Sequence, residues 1–299
     1  MDGILNIYKE KDFTSHDVVA KLRGILHMKK IGHTGTLDPQ ATGVLPVCLG
    51  KATKACDMMT EKSKVYEAVL LLGVTTDTED MTGRILNTSP VTCSEKEAEV
   101  AIGSFLGSYE QIPPMYSAIK VNGKKLYELA REGKTIERTP RPVTLYELTI
   151  LSMDLPRVRL RITCSKGTYI RSLCRDIGAK LGCGGCMEEL VRTRVGHFQI
   201  ENALTLNQIE AYAKKGRINE IIEPIDRIFA SCPAVFTSIQ DRKLVQNGNP
   251  LTEKRILLSQ DMKKAGQWIR LYDDEKQFVG IYQYDSTKKQ IKPVKMFLS

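Results

Sequence analysis

The apolar positions change period along the chain, and each change marks an element. Val18, Val19, Leu22, Ile25 and Leu26 share one helical face within 16–26, with Ser15 as the expected N-cap. Residues 31–50 carry four glycines and two prolines and read mostly as turns. An apolar run over 65–73 predicts a buried strand, and the polar stretch 74–88 a loop. From 157 to 164 the alternation is strict: Val158, Leu160, Ile162 and Cys164 point inward, Arg157, Arg159, Arg161 and Thr163 outward. The period then becomes helical over 169–181, with Ile170, Leu173, Cys174, Ile177 and Leu181 on one face. Thr168 is the expected cap there and Gly182 the stop. A further apolar-faced helix is expected over about 206–214.

Proline punctuation sets off an excursion over 113–142, from Pro113-Pro114 to Pro140-Arg141-Pro142. Composition changes again near Ser231-Cys232-Pro233. Beyond it, short runs are broken by Asn247-Gly248-Asn249-Pro250, Asp273-Asp274 and Tyr284-Asp285-Ser286, the spacing of a small β-rich unit. The expected division is therefore 1–231 and 232–299, in keeping with about two domains for 299 residues.

With 42% hydrophobic and 26% charged residues the chain has ample material for a core, which excludes wholesale disorder. No run approaches the roughly 18 apolar residues of a membrane helix. The start, Met1-Asp2-Gly3-Ile4-Leu5, has neither a cationic head nor a small-residue cleavage site, so no secretory signal is expected. The eight cysteines then read as reduced cytosolic thiols. Cys183-Gly-Gly-Cys186 is the single CxxC. It lacks a second pair, and the next histidine, His197, stands apart, so buried thiols are expected rather than zinc.

Charge adds a partner class. The net charge is +9, and it is confined to 113–142, at +4, and 231–299, at +5. Such confinement is the footprint of a polyanion-binding protein. In the first segment Tyr116 and Tyr127 are interleaved with Lys120, Lys124, Lys125 and Arg131, the mixture that RNA-binding surfaces use for phosphate contact and base stacking.

Two candidates for chemistry stand out. Gly32-His33-Thr34-Gly35-Thr36-Leu37-Asp38-Pro39-Gln40-Ala41-Thr42-Gly43 reads as a single capped turn from Asp38 or, through Gly32–Gly35, as a GxxG backbone clamp. It is no Walker A loop, because no Gly-Lys-Ser/Thr closes it. Arg171 falls in the first turn of its helix, where the dipole disfavours a cation. A locally unfavourable residue often marks function, and an arginine held near an aspartate keeps that carboxylate ionised.

The stretch GHTGTLDPQATGVLPVCLGKATK (32–54) resembles the catalytic-loop signature of the TruB family of tRNA pseudouridine synthases. Four more segments in order resemble further motifs of that family: Lys64-Val65-Tyr66 with Thr76–Asp80, PPMYSAIKVNGKKLYELAREG (113–133), CSKGTYIRSLCRDIG (164–178) and LVRTRVGHF (190–198). The C-terminal 68 residues resemble a PUA domain. One departure is visible: where the family usually has Lys-Pro-x-Gly-x-Thr-Ser, this chain reads Lys9-Glu10-Lys11-Asp12-Phe13-Thr14-Ser15.

The resemblance implies an α+β fold: a mixed-sheet catalytic domain with a thumb over 113–142, and a PUA pseudo-barrel over 232–299. It implies Asp38 as nucleophile, Tyr66 stacking on the target base and assisting proton removal, and Arg171 pairing with the aspartate. Tyr169 and Leu190 would line the uracil pocket, and His33 would fill space beside the flipped-out nucleotide. Lys120, Lys124, Lys125 and Arg131 would grip the RNA. The implied reaction converts uridine to pseudouridine at position 55 in the T-loop of tRNA, with neither metal nor organic cofactor. The partners would be the T-arm and, through the PUA domain, the acceptor stem. The enzyme would be a cytoplasmic monomer without an obligatory protein partner or a membrane. A tRNA-folding chaperone and the catalytic subunit of a guide-RNA complex are the other functions the resemblance allows. A zinc-dependent RNA modifier using Cys183 and Cys186 is the remaining alternative.

Overall fold

A computed structural model describes residues 1–60 and 62–298. Its centre is a nine-stranded mixed sheet. The main path runs Gly3–Lys9, Thr42–Leu49, Gly185–Val195, Lys64–Leu72, Arg157–Cys164, Arg141–Asp154, Gly107–Gln111. Ile31–His33 adds to Thr42–Leu49, and Phe198–Gln199 to Gly185–Val195. Neighbours on the path are antiparallel except Thr42–Leu49 and Gly185–Val195, which meet in parallel where Thr42 faces Val191 and Gly43 faces Arg192.

The expectation that 31–50 is mostly turns fails at this point, because Thr42–Leu49 is one of the most buried strands among the described residues. Its two awkward residues fit for separate reasons. Gly43 has φ +103°, and a Cβ on it would lie 2.2 Å from the Arg192 carbonyl oxygen, so only glycine allows the two strands to touch. Pro46 lies in the gap between two partners, Gly185–Val195 at the strand's start and Ile31–His33 at its end. On its other side it stands opposite Asn6, and its carbonyl accepts from the Thr34 N–H at 3.1 Å.

Helix Ile170–Lys180 covers one face of the sheet, with Ile170, Leu173, Cys174 and Ile177 packed against Tyr66, Ala68, Leu70 and Leu160. The approach is close: a Cβ on Gly178 would lie 2.2 Å from the Gly185 backbone nitrogen. The cap differs from expectation. Tyr169 holds the N-cap position without a side-chain bond, while the Thr168 hydroxyl turns back to the Ser165 carbonyl. Helices Ser15–Leu26 and Leu206–Lys214 share a second core with Leu5, Ile7, Leu45 and Val47. Thr14, not Ser15, caps the first of these, in a reciprocal box with Asp17. Thr163, expected to face outward into solvent, is buried with its hydroxyl donating to Glu147 at 2.8 Å.

The stretch 74–88 is a small hairpin, Val74–Thr76 against Ile85–Thr88, rather than a plain loop. The excursion after Pro113 holds a two-residue hairpin, Lys120–Val121 with Lys124–Lys125, and helix Leu126–Arg131. It ends earlier than the prolines suggest, since Arg141 and Pro142 already pair with Gln111 and Glu110 in the main sheet. A separate five-stranded sheet lies within Ala234–Met296. Its Ile281 and Phe297 share a core with Phe229, Met58, Val44 and Ile4 of the larger part. No helix among the described residues is long and apolar enough to cross a membrane.

Candidate active site

Asp38 sits on the loop between strands Ile31–His33 and Thr42–Leu49, and buried polar groups hold that loop. The Ser15 hydroxyl accepts from the Leu37 N–H at 2.9 Å. The ammonium of Lys9, a residue with no exposed surface, donates to the carbonyls of Phe13 at 2.6 Å, Pro39 at 3.0 Å and Glu10 at 3.1 Å. Burial pushes this lysine's pKa down to about 8, although the negative charge of Asp38 opposes the shift. Asp12 stands at the position where the TruB motif has glycine. It takes φ +70°, a conformation aspartate tolerates better than most residues, and its N–H donates to Pro39 at 2.9 Å. The altered Lys9–Ser15 turn therefore still reaches the Asp38 loop.

Arg171, the second residue of its helix, brings its guanidinium to Asp38. Nη2 donates to Oδ1 at 3.3 Å, and Nε lies 3.0 Å from Oδ2. Further bonds fix the group: Nη1 donates to the Thr78 carbonyl at 3.0 Å and Nη2 to the Tyr116 carbonyl at 2.9 Å. Asp80 Oδ2 lies 3.7 Å from Nε, on a carboxylate whose other oxygen accepts from the Thr78 and Thr82 hydroxyls. The Arg171 side chain is 6% exposed and that of Asp38 is 40% exposed, so the aspartate opens outward with its counter-charge behind it. Burial raises the Asp38 pKa. Arg171 pulls it back and the Asp80 charge pushes it further up, leaving the carboxyl above its ordinary range.

Tyr66 lies in the centre of the sheet, opposite Ile162 on one side and Arg192 on the other. It is buried, burial raises its phenol pKa, and Arg192 moderates that rise by charge and hydrogen bond. Tyr169 is held by Gln111, which accepts from its N–H at 2.8 Å and donates to its carbonyl at 3.0 Å. Leu190 packs on the cluster that contains Leu37 and Tyr66. Five of the six candidate residues thus lie close together: Arg171 pairs with Asp38, the charge of Asp38 reaches both Tyr66 and Tyr169, and Leu190 packs beside Tyr66. The sixth, His33, stands at the start of the loop, its ring edge-to-face with His16 at 5.4 Å. The RNA-gripping candidates lie apart on the excursion. There the Lys125 ammonium and the Arg131 guanidinium sit over the Tyr127 ring at 5.2 and 5.4 Å, and Lys124 pairs with Glu132. Lys120 is exposed.

Sequence reasoning missed Arg192. It is 2% exposed and bonds to the carbonyls of Val44 at 2.7 Å, Gly35 at 3.3 Å and Thr36 at 3.4 Å. A fully charged side chain spent on three carbonyls of the Asp38 loop and its following strand is a device for fixing that loop. Cys183 and Cys186 are buried, with Cys186 directed at the Met81 sulfur. His197 pairs with Glu223 at 2.6 Å. Among the described residues no group of three or more His, Cys, Asp or Glu side chains is placed to hold a metal.

Comparison with known proteins assigns first the fold and then the family. One chain of a solved structure titled "Crystal Structure of a Cbf5-Nop10-Gar1 Complex" superposes with TM-score 0.76 at 28% identity, covering 99% of this chain and 85% of that one. A chain of "Structure of H/ACA RNP bound to a substrate RNA containing 2'-deoxyuridine" gives TM-score 0.74 at 25% identity, with 99% and 85% covered. The description "TruB family pseudouridylate synthase (N terminal domain)" matches residues 23–170, and "tRNA pseudouridylate synthase B C-terminal domain" matches 171–230. Proteins named tRNA pseudouridine synthase B from Lachnoclostridium phytofermentans and Clostridium novyi are 54% and 48% identical, with both chains covered in full. The chain belongs to the TruB family of pseudouridylate synthases, enzymes that isomerise uridine to pseudouridine.

Proposed function

We propose that this enzyme acts on tRNA at uridine 55 of the T-loop, using Asp38 as the covalent catalyst on a nucleotide flipped out of its stack. The observation that carries the reading is the Asp38–Arg171 pair: an outward-facing carboxylate with a buried guanidinium 3.0 Å behind it. The carboxylate, 40% exposed, is accessible to an incoming base, and the guanidinium favours its ionised form there.

The other residues follow from their positions. Tyr66 offers a ring face to the base and a phenol for proton transfer. Tyr169 and Leu190 complete a wall that keeps water from a reactive sugar intermediate. His33 fills the space beside the extruded nucleotide. The basic excursion would close over the T-arm, and the sheet within 234–296, read as the PUA-like unit of 232–299, would hold the acceptor side. A single chain suffices for this division, and 54% identity to a protein named for tRNA favours it over a guide-RNA subunit at 28%.

The test is tritium release from a T-arm stem-loop RNA labelled at C5 of its uridines, with EDTA present. Wild-type protein is expected to release about one tritium per RNA, and Asp38→Asn none while still binding. RNA binding without release by wild type would move the function to chaperoning or to a guided complex.

A further inference from the structure

Among the recesses formed by the described residues, two of similar size, about 510 Å³ each, differ in charge. One lies across the sheet face, lined by Arg159 and Arg161 together with Glu67, which pairs with both. The lining of that recess mixes both signs, with Glu147 and Glu201 beside Glu67. The other is lined by His16, Arg23, Lys29, Lys30 and His33, and no carboxylate lines it. Among the described residues no Asp or Glu lies within 4 Å of the cations of Arg23, Lys29 or Lys30. Three uncompensated cations around one hollow leave a field that only an outside anion can neutralise.

The position of the hollow narrows the anion. His33 is the last residue of strand Ile31–His33, and the chain runs from it straight into the loop that carries Asp38. The hollow and the catalytic carboxylate are therefore separated by that one short loop. His33 Nδ1 accepts from the Gly35 N–H at 3.3 Å, which places the ring proton of the neutral tautomer on Nε2. Burial, His16 and Arg192 lower the His33 pKa, which favours the uncharged ring. Exposed cations and a half-buried imidazole donor suit a phosphodiester: charge attracts it and one hydrogen bond orients it.

We infer that this hollow binds the phosphodiester backbone of the substrate strand beside the target uridine, with Arg23, Lys29 and Lys30 as phosphate contacts and His33 as the orienting donor. The inference rests on the reading of Asp38 as the catalytic centre for an RNA nucleotide. It gives the enzyme a grip at the reacting nucleotide itself, separate from the basic excursion and the C-terminal sheet. Because the grip reads backbone, it holds the strand in register without regard to the neighbouring bases.

The test uses stem-loop RNAs that each carry one neutral methylphosphonate at a linkage within three nucleotides of the target uridine. They are compared on wild type and on the triple variant Arg23→Gln, Lys29→Gln, Lys30→Gln. The three side chains are exposed, so the variant is expected to fold, and its thermal midpoint checks this. In wild type, one or two of the neutral linkages should weaken binding severalfold. In the triple variant the same linkages should have no effect, and the slope of log Kd against log salt should fall by about 2, as expected for three lost single-strand phosphate contacts. An unchanged slope, or methylphosphonate effects that persist in the variant, would overturn the inference while tritium release by wild type still upheld the functional reading. Failure of wild type to release tritium would strike that reading instead.

Discussion

Arg192 stands opposite Tyr66 across two neighbouring strands, and its Nε donates to the Val44 carbonyl at 2.7 Å. One buried guanidinium thus connects the tyrosine, the strand that follows the Asp38 loop and, through Gly35 and Thr36, the loop itself. If Asp38 is the nucleophile proposed above, its glycine-containing loop needs such a clamp, because a displacement of about 1 Å at a reacting group can cost 100-fold in rate.

Arg192→Met should therefore harm both stability and chemistry. It leaves three carbonyls without their donor, a loss of about 3 kcal/mol. The urea midpoint checks this. The single-turnover rate at saturating RNA should fall by about 100-fold, and Arg192→Lys, which can reach one carbonyl, should recover part of it. A methionine variant that lost stability but kept the wild-type rate would reduce Arg192 to a packing residue.

How legible this arrangement is from sequence depends on the residue. The alternating strand at 157–164 and the helix at 206–214 could be read because one face of each meets the core and the other meets water. Arg171 could be singled out because a cation in a first helical turn opposes the dipole. Thr42–Leu49 could not be read as a strand. Gly43 and Pro46 signal turns locally, and the reasons they fit, contact with Arg192 and a change of partner strand, lie about 150 residues away or between strands. Arg192 was hidden for the same reason: in Leu190-Val191-Arg192-Thr193-Arg194 nothing local distinguishes the buried arginine from the next one. The caps moved by one residue where a competing tertiary bond existed, as with Ser15, whose hydroxyl is committed to Leu37.

The pH dependence of the reaction should report the network around Asp38. On the proposed mechanism the carboxylate is the active form; burial and Asp80 raise its pKa while Arg171 lowers it. Activity should therefore fall on acidification at a pH above that of an ordinary aspartate. Asp80→Asn removes a negative neighbour, which makes ionisation of Asp38 easier, so the acidic limb of the single-turnover profile should move to lower pH. A limb that moved up, or stayed, would remove Asp80 from the electrostatics of the site.

Lys9 gives a stability signature at alkaline pH. Its folded pKa is lowered to about 8 from the 10.5 of an ordinary lysine, so between these values the unfolded chain binds more protons than the folded one. Stability from this group must then rise with pH across that window. Urea unfolding of wild type and Lys9→Met, followed from pH 7.5 to 10.5, isolates the effect, since other groups cancel in the difference. Wild type should gain stability relative to the variant as pH rises. A flat difference would mean that the three carbonyls stabilise the ammonium enough to offset its burial.

The sheet within Ala234–Met296 is covalently distal but does not pack as an appendage. Ile281 and Phe297 are buried in a core shared with Ile4, Val44, Met58 and Phe229, and Trp268 and Phe278 pack against it. Truncation to 1–231 would uncover that core, at a cost on the order of 5 kcal/mol for the side chains stripped of their partners. The truncated chain should unfold at markedly lower urea and bind a hydrophobic dye, so its weaker RNA affinity could not be assigned to lost charge. Substituting the exposed pair Lys288→Gln, Lys289→Gln in the turn before the last strand tests the charge alone. That variant should keep the wild-type urea midpoint and bind tRNA with a shallower salt dependence. A 1–231 chain as stable as the full protein would show instead that the two sheets fold independently and that the shared apolar contacts contribute little.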